Sequence, residues 1–253
     1  MTFITGHRGA RNLWPENSLT GFREAIKLGC DAIEFDVHLT DAGELVVIHD
    51  PTLERTTQAT GTVAALSPSE RAETRLTDSQ DTLPTLDEVL NILVPAGVNL
   101  HVELKVDSTG QPYPNLDRRV AERLRAHGAT QRAHLTSFNL SILKSCLAHN
   151  PDIPRLVSTD SRWVEKYGGL ETFFAEVRDL VDIVALRHDY FATVFDQVTQ
   201  MWPKDRLCAW TVNEPEALRD WLGRGIGHLT TDRPDLALAL RRSCVGAMAP
   251  SSL

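Results

Sequence analysis

Ala32-Ile-Glu-Phe-Asp-Val-His-Leu-Thr40 alternates residue by residue, with Ile33, Phe35, Val37 and Leu39 on one side and Glu34, Asp36 and His38 on the other. A period of two is a strand signature, so the two carboxylates project together from one surface. A few residues on, Val46-Val-Ile-His-Asp50 is a short apolar run that ends in a histidine and an acid. Alone, the pattern fits two things: the wet face of an ordinary strand, or the acids of a metal site with a histidine beside them.

Outward from this stretch, residues 98–106 repeat the pattern, with Val98, Leu100, Val102 and Leu104 opposed to Asn99, His101, Glu103 and Lys105. Thr2-Phe-Ile-Thr5 reads as a strand running into the glycine-flanked pair His7-Arg8. Ser18 caps a helix carrying Leu19, Phe22, Ala25 and Ile26 that stops at Gly29. Further strands are expected at 134–138, 155–158, 182–186, 206–213 and 227–232. Helices are expected at 84–94, 115–127, 141–149, 163–180, 191–202, 215–223 and 234–242. Thr85, with Glu88 three positions on, forms a capping box. Residues 51–83 are the least regular part, with a helical turn at 68–72, and read as a functional loop or a small insertion. Residues 243–253 read as a frayed tail.

The count is eight strand–helix units with no break in composition. Regular β-then-α alternation implies parallel strands joined by right-handed crossovers. Eight units in 253 residues make a single-domain (β/α)8 TIM barrel, with a short irregular insertion after the second strand, the expected architecture. An open doubly wound sheet comes second.

A net charge of -8 argues against non-specific nucleic-acid or membrane-surface binding and leaves room for a local basic pocket. Cys30, Cys146, Cys208 and Cys244 are scattered, as reduced thiols of a cytoplasmic protein would be. No apolar run is long enough to span a bilayer.

A barrel changes the meaning of the opening stretch. Both faces of a parallel barrel strand are normally apolar, so Glu34, Asp36, Glu103 and Lys105 are not a solvated sheet face. If the apolar side meets the helices, these groups point inward. Like charges about 4 Å apart cost roughly 4 kcal/mol at an effective dielectric near 20, so the cluster needs a cation, a shared proton or a basic partner. Three carboxylates without cysteine favour Mg2+, Ca2+ or Mn2+ over zinc. The plainer alternative, an ion-pair network among Glu103, Lys105 and Arg8, leaves Glu34 and Asp36 unexplained. His7 and His49, each at a strand end or in the loop after one, suit a proton donor and acceptor. His38, His101, His134, His188 and His228 read as structural.

His7-Arg-Gly9, Pro15-Glu-Asn17, Glu34-Phe-Asp36, Thr40 with Gly43, Val46-Val-Ile-His-Asp50 and Glu103-Leu-Lys105 occur in order along the chain. With Trp210-Thr-Val-Asn213 and Thr231-Asp-Arg-Pro234 they resemble the motifs of the glycerophosphodiester phosphodiesterase family, over about residues 4–236. The resemblance implies a barrel enzyme that hydrolyses glycerophosphodiesters to sn-glycerol 3-phosphate and an alcohol with one divalent cation, Mg2+ or Ca2+. It implies that Glu34, Asp36 and Glu103 hold the metal, that His7 and His49 are the acid/base pair, and that Arg8 and Lys105 grip the phosphate. Phe138 and Trp210 would supply apolar walls. Arg187-His-Asp189, at the sixth strand's end, reads first as a merely solvated loop; the alternative reading is that Arg187 biases the site toward anionic headgroups. Rival readings are a lysophospholipid or sphingolipid headgroup hydrolase, a metal-dependent aldolase or sugar isomerase, and a barrel that only binds phosphorylated ligands.

Overall fold

The computed structural model describes residues 1–246, with side chains through residue 243. The strands are β1 (Phe3–Gly6), β2 (Ala32–Leu39), β3 (Leu45–Val47), β4 (Asn99–Leu104), β5 (Ala133–Ser137), β6 (Arg155–Thr159), β7 (Ile183–Arg187), β8 (Leu207–Trp210) and β9 (His228–Thr231). The helices are α1 (Leu19–Leu28), α2 (Pro68–Glu73), α3 (Leu86–Leu93), α4 (Leu116–Ala126), α5 (Leu140–His149), α6 (Ser161–Lys166), α7 (Leu170–Val177), α8 (His188–Met201), α9 (Pro215–Gly223) and α10 (Pro234–Gly246). Eight strands run parallel in the order β1-β9-β8-β7-β6-β5-β4-β2, and pairing of β1 with β2 closes the barrel. β3 is a ninth strand that returns antiparallel along the far end of β2. It brings His49 back to the barrel mouth.

The parity expected for β2 holds. Ile33, Phe35 and Val37 join the large core shared with the helices, where Phe35 meets Phe22 edge-on at 5.9 Å. Burying each such ring is worth about 1.5–3 kcal/mol, which commits this face outward and Glu34, Asp36 and His38 inward. The box at Thr85 is present: its hydroxyl accepts from the Glu88 N–H, and the Glu88 carboxylate accepts from the Thr85 N–H at 2.8 Å.

Residues 51–83 form a small insertion with its own apolar cluster, in which Leu53, Val63, Leu66, Leu76 and Leu83 pack beneath Val46 and Ile48. Four boundaries differ from expectation. The stretch 163–180 is two helices, α6 and α7, because Gly168 and Gly169 take positive φ of 91° and 96° between them. Residues 187–189 are not a solvated loop: α8 starts at His188, and the Asp189 carboxylate accepts from the Tyr190 N–H in its first turn. The sheet leaves β8 at Trp210 rather than at Asn213, and the Val212 N–H bonds to the Thr230 carbonyl. The expected frayed tail begins too early, since α10 runs on to Gly246; residues 247–253 lie outside the described residues.

Cys30, Cys146 and Cys208 are free and buried. Among the described residues no helix is long and apolar enough to cross a membrane.

Below the mouth the barrel interior holds His101, His134 and His228, with ring centroids 5.4 Å apart for His101–His134 and 6.3 Å for His101–His228. Burial pushes all three below the ordinary histidine value of 6.5, His228 to about 4. Between pH 6.5 and 4 the unfolded chain therefore binds more protons than the folded one, and stability falls as pH drops. Thermal denaturation from neutral pH down through this window is expected to show a falling Tm and a shallower fall in His228→Gln. An equal slope in both proteins would contradict this account.

Candidate active site

At the C-terminal end of β1 the chain turns sharply into His7-Arg8-Gly9. A Cβ on Gly6 would lie 2.1 Å from the Gly9 carbonyl oxygen, so only glycine allows the turn. Arg8 takes φ 51°, and its N–H donates to Glu34 Oε2 at 2.9 Å. Asp36 on β2 pairs in register with Glu103 on β4. Oxygens of Glu34, Asp36 and Glu103 lie within 4.8 Å of one another, a cluster that could hold a metal ion.

The surrounding charges are uneven. Lys105 Nζ lies 2.9 Å from Asp36 Oδ1 and 2.6 Å from Glu103 Oε1. Arg8 Nε is 3.3 Å from Asp36 Oδ2, which also accepts from Asn17 Nδ2 at 2.8 Å. Burial raises the Asp36 carboxyl, but Lys105 and Arg8 outweigh it and hold the group well below the usual carboxylate range. Burial also works against the Lys105 ammonium, yet Asp36 and Glu103 raise it above its ordinary value. Glu34 goes the other way: burial and repulsion from Asp36 and Glu103 push it well above 4.5. Arg8 and Lys105 thus leave the three acids one positive charge short. An all-oxygen set with that deficit fits a hard divalent cation.

Both histidines have a carboxylate behind them. His7 Nδ1 lies 2.6 Å from Asp232 Oδ1, and His49 Nδ1 lies 2.6 Å from Asp50 Oδ1. A carboxylate accepts only, so each Nδ1 carries the proton and each Nε2 is the nitrogen left to act. Asp232 is itself held by Asn213 Nδ2 at 2.7 Å and Arg11 Nε at 3.1 Å. Burial, with Lys105 and Arg8 nearby, lowers His49 below 6.5 despite Asp36 and Asp50.

His38 shares the face of the acids and has a partner after all. Its Nε2–H donates to the His49 carbonyl at 3.1 Å, while Nδ1 accepts from the Tyr113 hydroxyl at 2.9 Å. Burial pushes its pKa to about 4, so the ring stays neutral and keeps this tautomer.

His7, Arg8, Glu34, His49, Glu103, Phe138 and Trp210 line one cavity of about 110 Å3. Phe138 and Trp210 meet edge-on at 5.3 Å and form its apolar wall, with Trp163 at 6.3 Å from Phe138. A larger hollow of about 610 Å3 lies on the outside of the insertion and holds none of these groups. Lys105 is buried under the cavity against two carboxylates rather than lining it. Arg187 ends β7, half-exposed, with its guanidinium paired with Asp189.

All nine residues expected at the site gather at this end of the barrel. Asp232, Asn213, Asn17 and Asp50 were not assigned to the site from the sequence, whereas His38, read as structural, is buried in two hydrogen bonds. Asp232, Asn213 and Asn17 stood in quoted motifs, but a motif does not say which ring or carboxylate its polar group reaches.

The model of the glycerophosphoryl diester phosphodiesterase family matches residues 7–236. The chain is 26% identical over 249 residues to a glycerophosphodiester phosphodiesterase of Caldanaerobacter subterraneus subsp. tengcongensis, covering 95% of this chain and 98% of that one. Its fold is similar to a crystal structure of an Agrobacterium tumefaciens protein, with a TM-score of 0.89 at 26% identity over 97% and 99% of the two chains. It is also similar to glycerophosphodiester phosphodiesterase from Thermotoga maritima, with a TM-score of 0.77 at 25% identity over 95% and 99%.

Proposed function

The chain belongs to the glycerophosphoryl diester phosphodiesterase family, and from that premise we propose that it hydrolyses glycerophosphodiesters to sn-glycerol 3-phosphate and an alcohol. The observation that carries this reading is the arrangement of two carboxylate-backed histidines, His7 and His49, on one cavity with Glu34 and Glu103, whose oxygens cluster with those of the buried Asp36.

Glu34, Asp36 and Glu103 would hold one divalent cation, Mg2+ or Ca2+, with Mn2+ also suited to the donors. When bound, that ion supplies a charge that polarises a phosphoryl oxygen. With it, the cluster of three acids, Arg8 and Lys105 carries one net positive charge, which matches a singly charged phosphodiester. Arg8 faces the cavity and offsets charge on the remaining phosphate oxygens, while Lys105 acts from beneath. His49, depressed by burial, is neutral at pH 7 and accepts the proton of the attacking hydroxyl, whether water or the neighbouring glycerol hydroxyl. His7, held through Nδ1 by Asp232, is the acid that donates a proton from Nε2 to the leaving alkoxide. Phe138 and Trp210 take the alcohol side and exclude water from it. The free, buried thiols support a reducing, cytoplasmic address.

The test is release of glycerol 3-phosphate from a panel of glycerophosphodiesters bearing neutral, cationic and anionic alcohols, with a lysophospholipid as a further arm. Turnover of at least one diester with glycerol 3-phosphate as product is expected. Turnover of the lysophospholipid alone, or of none, would overturn the reading.

A further inference from the structure

The insertion at 51–83 sends one cation back toward the active site. Its root is firm: Leu53 is buried in the insertion's core, and the Thr57 hydroxyl donates to the Leu53 carbonyl at 2.8 Å. At its far end Asp81 accepts from the Thr20 N–H at the start of α1 at 2.7 Å. Between these anchors Arg55 lays its guanidinium across two carboxylates. Nη1 and Nη2 donate to Glu16 Oε2 and Oε1 at 2.9 and 2.8 Å. Nε and Nη2 donate to Asp50 Oδ2 and Oδ1 at 2.5 and 3.2 Å.

Each carboxylate also holds a group of the site, and does so through an oxygen that Arg55 shares. Glu16 Oε1 accepts from Arg8 Nη1 at 2.9 Å, and Asp50 Oδ1 accepts from His49 Nδ1 at 2.6 Å. The Arg55 side chain is 45% exposed, where an ion pair adds little to stability. What the fork supplies is geometry, because a planar guanidinium fixes both carboxylates in one plane and a lysine cannot.

We propose that Arg55 is a positioning residue for the reaction, spanning Glu16 and Asp50 so that the Arg8 guanidinium and the His49 ring are set relative to each other across the cavity. It touches neither substrate nor cation. The insertion is thereby part of the site's machinery, and its packed core serves to hold one side chain in place. The inference rests on the phosphodiester reading for its kinetic arm only.

Arg55→Gln removes the fork, and Arg55→Lys keeps the charge without it. On a diester that the wild type turns over, Arg55→Gln is expected to lower kcat on the order of 10–100-fold, with KM changed by less than about threefold. Arg55→Lys should recover only part of the loss, and Tm should stay within a few degrees in both. Adding Arg55→Gln to Asp50→Asn should cost less than adding it to the wild type, because the half of the fork that reaches His49 is already released. A separate arm reads the ring protons by NMR: the His49 Nδ1–H signal should shift or broaden in Arg55→Gln while that of His7, held by Asp232, stays in place. Wild-type kcat in Arg55→Gln, full recovery by lysine, additive losses, or an unmoved His49 signal would each overturn the proposal. If the wild type turns over no glycerophosphodiester, the functional reading fails, and the NMR arm still decides what Arg55 does.

Discussion

Replacing His49 with alanine is expected to lower kcat about 10³-fold, near 4 kcal/mol of barrier, with a much smaller change in KM. The ring lies on the cavity, and its Nδ1 is committed to Asp50, so Nε2 is the only basic nitrogen it can offer. Removing it leaves the cation site and the phosphate cations in place, which is why binding should survive. The pH profile adds a second readout. Burial lowers the His49 pKa, and a base works above its pKa, so the acidic limb of the wild-type profile should lie below pH 6.5. Residual activity in His49→Ala should lack that limb. His7→Ala should cost a similar factor, and the double variant little more than either alone, because the two rings serve one proton relay. Wild-type rates in either single variant would remove the acid/base assignment.

Chelation is expected to abolish activity, and Mg2+ or Ca2+ to restore it; Glu34→Gln should lose more than roughly 10²-fold in kcat with the cation present. The sign of the stability change separates a cation ligand from a structural acid. In the cation-free protein Glu34 is pushed up by burial and by repulsion from Asp36 and Glu103. Glutamine removes the repulsion and keeps the shape, so the cation-free Tm of Glu34→Gln should equal or exceed that of the wild type. Adding a divalent cation should raise the wild-type Tm by mass action and leave the variant unmoved. Because a proton and the cation compete for Glu34, the apparent affinity for the cation should rise with pH through the elevated Glu34 pKa. Full activity in Glu34→Gln, or a cation-induced Tm rise equal to that of the wild type, would refute the assignment.

Much of this site was legible in the residues. Strand parity placed Glu34 and Asp36 on one face and Glu103 on another, and the eight-unit count turned those faces inward. Thr85 and Glu88 marked their helix start because a capping box is a contact within four residues. The misjudged boundaries at 163–180 and 187–189 came from competing local signals. Gly168 and Gly169 interrupt an otherwise helical pattern, and the first turn of α8, where Asp189 accepts from the Tyr190 N–H, lies in a polar stretch that resembles a loop.

The partners were a different matter. Asp232 stands 225 residues from His7, and Tyr113 stands 75 from His38. Arg55 reaches Glu16 across 39 residues, from a segment whose composition looked like connecting chain. Periodicity and short-range sterics operate over a few residues, so the sequence by itself determined which segments are strands or helices, which face of each is apolar, and therefore which acids meet inside. Asp50 follows His49 directly in the chain, but only closure of the barrel, bringing β9 against β1, put Asp232 behind His7, and only the fold of β3 and the insertion over the mouth brought Arg55 to Asp50 and Glu16. Those contacts join parts of the chain that share no local pattern. The opening stretch thus announced the acids of Glu34 and Asp36, while the tertiary structure chose Asp232 behind His7, the hydrogen bonds of the buried His38 and the arginine fork over Asp50.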